Sequence, residues 1–362
     1  LRRKEYSSLK EAVAVSFVLI ALISAAITAL AWILLPQIIR ILSVPEELSE
    51  MMGSYMYIIL TGLPALFIYN FYASAERSIG NSAAALMMMA LSAIMNIILD
   101  LYFVISLGWG IEGAAAATVI SQYAAAIAIA LYALLRSPIL RFRPSDARRG
   151  WKMLPELLSL SVLTSLQQSI MNLGILMVQG IVNSFGSSVM AAFAAGVKID
   201  SLAYMPLQEF GNAFSVFVAQ NEGAGRKDRI RKGMKSAFLL TTAFGLAISI
   251  AVFIIPRILL SIFIDPGEAA IIDIGVDYLR LEGSFYILIG YLFLFYGIFR
   301  AAGHPAVSLF LTIISLGLRV LLASLLSIPF GPDGIWISIP IGWVMADAAG
   351  LILVRAKRII SR

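Results

Sequence analysis

The stretch Ala84–Gly108, AALMMMALSAIMNIILDLYFVISLG, decides the fold. An α-helix rises 1.5 Å per residue, so about 20 apolar residues cross a hydrocarbon core roughly 30 Å thick. This stretch is long enough and apolar enough to be such a span. Yet it holds Asn96 and Asp100, four residues apart and therefore on one helix face. Hydrocarbon offers neither group a partner, so both need a reason to be there.

The rest of the chain has the same character. Of 362 residues, 60% are hydrophobic and 13% charged, against about a quarter charged in a soluble domain. The chain reads as an all-α polytopic membrane protein, because helices satisfy their own backbone in lipid and the apolar runs are too long for barrel strands. There is no cysteine, and the single histidine, His304, sits in the loop RAAGHPA. Disulfides, thiolate metal sites and multi-histidine centres are thereby excluded. No phosphate-cradling glycine loop and no nucleophile elbow is legible, so no motif points to an enzyme, and no cofactor is expected.

Breaks at proline, glycine and charge clusters divide the chain into ten spans, roughly 13–35, 53–75, 83–106, 113–135, 156–183, 188–220, 236–262, 275–298, 305–328 and 334–355. When the chain crosses at each span, 22 of the 27 Lys and Arg residues fall on one side, including those at both termini. Arg40 and Arg257 fall on the other side, with Glu46, Glu47, Glu50, Asp265, Glu268 and Asp333. The positive-inside rule makes the first side cytoplasmic, places both termini there, and assigns the net charge of +6 to topology rather than to nucleic acid. The expected location is the cytoplasmic (inner) membrane, with membrane lipids as surroundings and a monomer as the working unit.

The second half echoes the first. ILSVPEE aligns with IFIDPGE at an offset of 221, pairing Pro45 with Pro266, and the same offset carries Tyr57 to Tyr278, Gly62 to Gly283 and Gly113 to Gly334. ERSIGN matches FRAAGH two residues further on. Both copies start on the cytoplasmic side, so they are expected to be parallel repeats. The domains are expected at 1–135 (four-span N-terminal bundle), 136–155 (basic cytoplasmic linker) and 156–362 (six-span C-terminal bundle). Trp151, at the start of the second repeat, maps about 70 residues ahead of Leu1. The expectation is that two helices are missing from the first bundle, as a truncated chain or a natural ten-span variant, with twelve in the full length.

Asn96, Asp100 and Thr118 offer an amide carbonyl, a carboxylate and a hydroxyl at depths of about 7–9 Å from the outer ends of adjacent spans. Such hard oxygen ligands suit a proton or a small cation, Na⁺ if the protein is sodium-coupled; a packing hydrogen-bond cluster is the alternative. At the equivalent positions the second repeat has Arg319, Ala323 and Ile339, so the set belongs to the first half. The second half has its own polar residues, Lys198, Asp200, Glu209, Arg319 and Asp347, with Arg319 and Asp347 expected to pair near mid-depth. Asp277, Arg280 and Glu282 are expected near an outer helix end, explained by snorkelling or an i,i+3 pair. Pro64 and Pro206, inside spans, are expected to bend their helices.

Three segments carry a resemblance: NIILD…GIEGAAAATVISQ over 96–122, LQQSIMNLGILMVQGIVNSFG over 166–186, and MAAFAAGVKIDSLAYMPLQEFGNAFSVFVAQNEGAGR over 190–226. Together they resemble the multidrug and toxic compound extrusion (MATE) transporters of the bacterial and archaeal drug-exporter branch. The resemblance implies two six-helix bundles facing each other in a V, alternating access, and export of small organic cations or drugs driven by inward H⁺ or Na⁺. It also implies a cation site made by an Asn and an Asp four apart and a Thr on the next helix, which Asn96, Asp100 and Thr118 match. That family site takes a further Asp from its first helix, which this chain does not contain. A Glu that some sodium-coupled members carry on the first helix of the second half is replaced by Gln167 and Gln168, which with Tyr204 become candidate substrate-lining residues. The competing reading is a flippase of lipid-linked saccharides, which would need a cationic central cavity.

Overall fold

The computed structural model describes residues 3–41 and 46–356. Pro45 of the repeat, and the terminal Arg2, Lys357, Arg358 and Arg362, lie outside the described residues. The elements are α1 (Arg3–Ile41), α2 (Glu46–Leu60), α3 (Leu63–Ser78), α4 (Ser82–Asp100), α5 (Gly110–Arg136), α6 (Pro144–Gly150), α7 (Leu154–Asn183), α8 (Ser187–Gly223), α9 (Lys227–Ile254), α10 (Pro256–Leu260), α11 (Ala269–Gly283), α12 (Tyr286–Ala301), α13 (Pro305–Phe330) and α14 (Pro332–Ala356). Among the described residues every regular element is helical. Nine spans are long and apolar enough to cross a bilayer, and the pair α11–α12, bent by 50°, makes a tenth. Side chains such as Leu86, Ile105, Leu239 and Ile328 stand exposed on their flanks, which only hydrocarbon makes tolerable.

Two compact units divide the chain, residues 1–158 and 159–362. In the first, α5 packs against α2, α3 and α4. It buries Ala115, Ala117, Ala125, Ala126 and Ala133, small side chains that let neighbouring helices approach where lipid gives no hydrophobic drive to association. Glu76, wholly buried at the end of α3, accepts hydrogen bonds from Ser137 Oγ (2.6 Å) and Asn81 Nδ2 (2.9 Å). This ties the α3–α4 turn to the end of α5. The basic segment after α5, expected as a linker, is folded: Pro138–Leu140 and Trp151–Met153 form 3₁₀ turns around α6, which packs on α1. There Asp146 caps its own helix by accepting from the Arg143 N–H (2.8 Å) and pairs with Arg149, which also reaches Glu11.

In the second unit α12 is the buried axis, enclosed by α8, α9, α13 and α14. Its contact with α8 is backbone on backbone. A Cβ on Gly297 would lie 2.5 Å from Gly211 O, and one on Gly211 would lie 2.7 Å from Phe293 O. Phe193 and Trp336 stack, and Tyr278 meets both rings edge to face.

The repeat is visible in the backbone. The α2–α3 span breaks at Thr61–Gly62 and the α11–α12 span at Ser284–Phe285, equivalent places in the two copies. Gly80 and Gly303 both take left-handed φ values, 96° and 75°, in the turns ERSIGN and FRAAGH, a region other residues enter at a cost. Pro64 sits in the first turn of α3, so the interruption precedes it rather than arising from a kink at its position. Pro206 lies inside the continuous α8.

Two outcomes test this packing. Gly297→Leu forces a side chain into a backbone carbonyl and is expected to cost on the order of 1–3 kcal/mol, read as a lower melting temperature in detergent. Gly180→Ala, with nothing near its Cβ, should leave the temperature unchanged or raise it. The Arg143 N–H, opposed by burial and helped by Arg149, holds the Asp146 carboxyl below its usual range. Docking of α6 should therefore be complete above the ordinary carboxylate range and weaken as pH falls through the lowered value. Faster amide exchange of residues 144–150 in acid, corrected for intrinsic rates and absent in Asp146→Asn as a pH-dependent step, would show it.

Candidate functional site

Among the described residues, each unit gathers polar groups inside its helices. In the first unit α4 and α5 run antiparallel, pinned by Ser92 Oγ donating to Ser121 O (2.8 Å). That register sets Asn96 opposite Ala117 and Thr118, with Asp100 one turn further along. Thr118 Oγ1 gives its proton to Ala114 O (3.0 Å), leaving its lone pairs free. Asn96 Nδ2 and Asp100 Oδ1 are buried and have no protein partner among the described residues. Directly after Asp100 the helix widens into a π-turn, Leu101–Ser106, in which the Leu107 N–H reaches back five residues to Tyr102 O. Such wide turns concentrate at functional positions because they displace the side chains beside them. Nothing in the sequence pattern of the span announced it.

The second gathering lies in the middle of the second unit. Asp200 (2% exposed) on α8 accepts from the hydroxyls of Tyr278 and Tyr286, and Glu282 (1% exposed) accepts from the hydroxyl of Tyr204. Arg319 on α13, buried too, is near enough for its charge to act on both acids, though its Nε has no partner among the described residues. Three phenols and a guanidinium thus surround two carboxyl groups. The rings of Tyr204, Tyr286 and Trp343 pack edge to face around them.

This arrangement corrects several expectations. Glu282 is not at an outer helix end: its span begins at Ala269, and the break after Gly283 sets Glu282 deep in the unit. Arg280 lies over the Phe253 ring rather than in an i,i+3 pair. Arg319 and Asp347 do not pair, for α14 faces Arg319 with Gly342. Asp347 is five residues further on, about 7.5 Å along the axis. Lys198 stands exposed over the Phe263 ring, away from Asp200. Gln167 and Gln168 line a polar cavity of about 200 Å³ with Gln208, Glu209, Asn212, Phe293, Tyr296 and Arg300. Tyr204 belongs instead to the Glu282 cluster. Tyr278, Glu282 and Tyr286 were missed, although their i, i+4, i+8 spacing was legible.

The helical architecture and buried intramembrane acids agree with the comparisons to known proteins. The MatE family profile matches residues 3–102 and 161–325. The chain belongs to the MatE family. A probable multidrug resistance protein of Bacillus subtilis, YpnP, is 28% identical over 322 residues, 89% of this chain and 72% of that protein. A FAD transporter of Shewanella oneidensis is 28% identical over 350 residues, 92% of this chain and 74% of that one. A multidrug resistance MATE transporter solved in its outward-facing conformation superposes with TM-score 0.88 at 22% identity, over 99% of this chain and 84% of that one. A transporter of the MOP superfamily from Pyrococcus furiosus gives TM-score 0.89 at 22% identity, over 99% and 83%. The protein is a multi-pass membrane transporter of the MATE family.

The Asp200 cluster makes its own prediction. Tyr278→Phe and Tyr286→Phe each remove one donor from a buried carboxyl group, an effect of about 1–3 kcal/mol. The double variant should lose more than the two single losses combined, because only it leaves Asp200 without a phenol. Melting temperatures of the four proteins in detergent complete the cycle.

Proposed function

We propose that the protein is a secondary antiporter that exports amphipathic, cationic organic compounds across the cytoplasmic membrane in exchange for H⁺ or Na⁺. Asn96, Asp100 and Thr118 form the coupling-cation site of its N-terminal half. The observation that carries this reading is the half-buried pair Asn96 and Asp100, whose Nδ2 and Oδ1 atoms are buried without protein partners among the described residues, at the start of a π-turn and on a helix with no other acid. An anionic carboxylate and two neutral oxygens fit one monovalent cation, and proton or Na⁺ uptake there removes the penalty of an unpaired intramembrane charge. Exchange requires that cation and drug favour different states of one protein, which is the thermodynamic content of alternating access.

The multidrug names of the relatives support the cargo class. The lipid-linked saccharide alternative needs a cationic cavity; Lys198 is exposed and Arg319 is buried beside two acids, which favours organic cations. The segregation of Lys and Arg supports a topology with both termini in the cytoplasm, and the working unit proposed is a monomer.

Asp100→Asn in the full chain is expected to reduce ion-driven ethidium efflux from proteoliposomes to the level of empty vesicles while leaving expression and melting temperature intact. Imposing pH and Na⁺ gradients separately identifies the coupling ion. Undiminished efflux in the variant contradicts the site assignment.

A further inference from the structure

Asp347 remains outside everything described so far. It lies on α14, 9% exposed, and both of its carboxyl oxygens are buried with no protein partner among the described residues. An ionised carboxylate cannot stay in such a place without a donor or a counter-charge. The cation nearest in sequence register, Arg319, is offset by more than a turn and faces Gly342, while its charge acts on Asp200 and Glu282.

No hydroxyl of the described residues donates to either oxygen. Ser308 and Thr312 on α13 are wholly buried, and each has spent its proton on a carbonyl: Ser308 Oγ on Tyr296 O (3.1 Å) and Thr312 Oγ1 on Ser308 O (3.0 Å). What they offer outward is lone pairs. A neutral carboxyl, which has one O–H to give, matches such surroundings, and a carboxylate does not.

The Tyr296 phenol lies within electrostatic range of Asp347, with no hydrogen bond to either carboxyl oxygen, and the same side chain lines the polar cavity with Gln167, Gln208, Glu209, Asn212 and Arg300. Inside the cavity Arg300 Nη2 donates to Asn212 Oδ1 (2.8 Å), and Asn212 Nδ2 donates to Glu209 Oε1 (3.3 Å). The amide thus holds a cation and an anion apart. A polar space flanked by unpaired charges of both signs suits ordered water. The charged and titratable groups on the helices packed against α14 are Tyr296 and Arg300 on α12, Arg319 on α13, and Tyr278 and Glu282 on α11, which meets α14 near its start at Trp336; of these, Tyr296 is the one within electrostatic range of Asp347.

We propose that Asp347 is a second proton-binding site of the transporter, loaded and emptied through Tyr296 from the polar cavity, and distinct from the Asp100 site. The transfer is balanced: a cavity hydronium gives a proton to the phenol oxygen as the phenol's own proton passes to Asp347, so Tyr296 is neutral before and after. The proposal rests on the antiport reading only for its use in the transport cycle; the proton site itself is independent of it.

Infrared difference spectra of the purified full chain, recorded between acidic and alkaline buffer, test it directly. A protonated buried carboxyl gives a C=O stretch that a carboxylate lacks. The wild type should show this band appearing in acid, Asp347→Asn should lose one component, and Asp100→Asn should keep that component. Asp347→Glu should shift the component instead of removing it, which keeps the test open if the Asn variant folds poorly. Tyr296→Phe should keep the band but slow its appearance after a pH jump. An unchanged spectrum in Asp347→Asn, no shift in Asp347→Glu, or a band that ignores pH overturns the site, and an unchanged rate in Tyr296→Phe overturns the route. If ethidium efflux survives Asp100→Asn while the Asp347 component still titrates, the Asp100 coupling site falls and the Asp347 proton site stands.

Discussion

Hydrocarbon supplies no hydrogen-bond partner, and that constraint organises the rest of this structure. It forces the backbone into helices, so every described element is one. It also leaves each acid inside a span with three outcomes: satisfaction by donors, neutralisation by a bound cation, or protonation. The protein contains examples that differ in this respect. Asp200 has both oxygens satisfied by phenols, while Glu282 accepts from Tyr204 through Oε1 and leaves Oε2 without a protein donor among the described residues, beside the Arg319 guanidinium. Asp100 and Asp347 have buried oxygens without protein donors. An acid that no protein group satisfies is one that an exchangeable ion can satisfy, and this is the link from folding physics to transport.

The two repeats use the same backbone device for different chemistry. Each breaks one span at the equivalent place, Thr61–Gly62 and Ser284–Phe285. At the first break Tyr123 donates to Thr61 O (3.0 Å), and the Gln122 amide lies against Gly62. At the second, Glu282 and Tyr286 flank the interruption and meet Asp200 and Tyr204. A broken helix exposes backbone groups and re-aims side chains, and membrane proteins tolerate it only where protein covers it. The shared geometry descends from the repeat, while the residues placed on it have diverged.

Much of this was legible in the sequence. Apolar run lengths and the sorting of Lys and Arg gave ten spans, and the glycines at 62, 80, 283 and 303 marked breaks and turns that the backbone shows. The stretch 96–122 carried the family resemblance. What failed did so through register. Starting the eighth span at 275 instead of 269 put Glu282 near an interface, when a span bent by 50° sets it in the interior. Counting Arg319 and Asp347 from opposite ends made them level, when the close approach of Gly342 to α13 fixes them more than a turn apart. The π-turn after Asp100 has no sequence signature, because the choice between i→i+4 and i→i+5 bonding is made by packing against α5.

The central claim is that cation entry and organic-cation export are two halves of one exchange. Proteoliposomes holding the full chain and ethidium on both sides, with a cation gradient imposed first in one direction and then in the other, test it most directly. Net ethidium flux is predicted to be absent without a gradient and to run against the imposed cation gradient, reversing when that gradient is inverted. Ethidium flux that is equal in both directions, or that ignores the gradient, would contradict exchange and leave the protein a passive route.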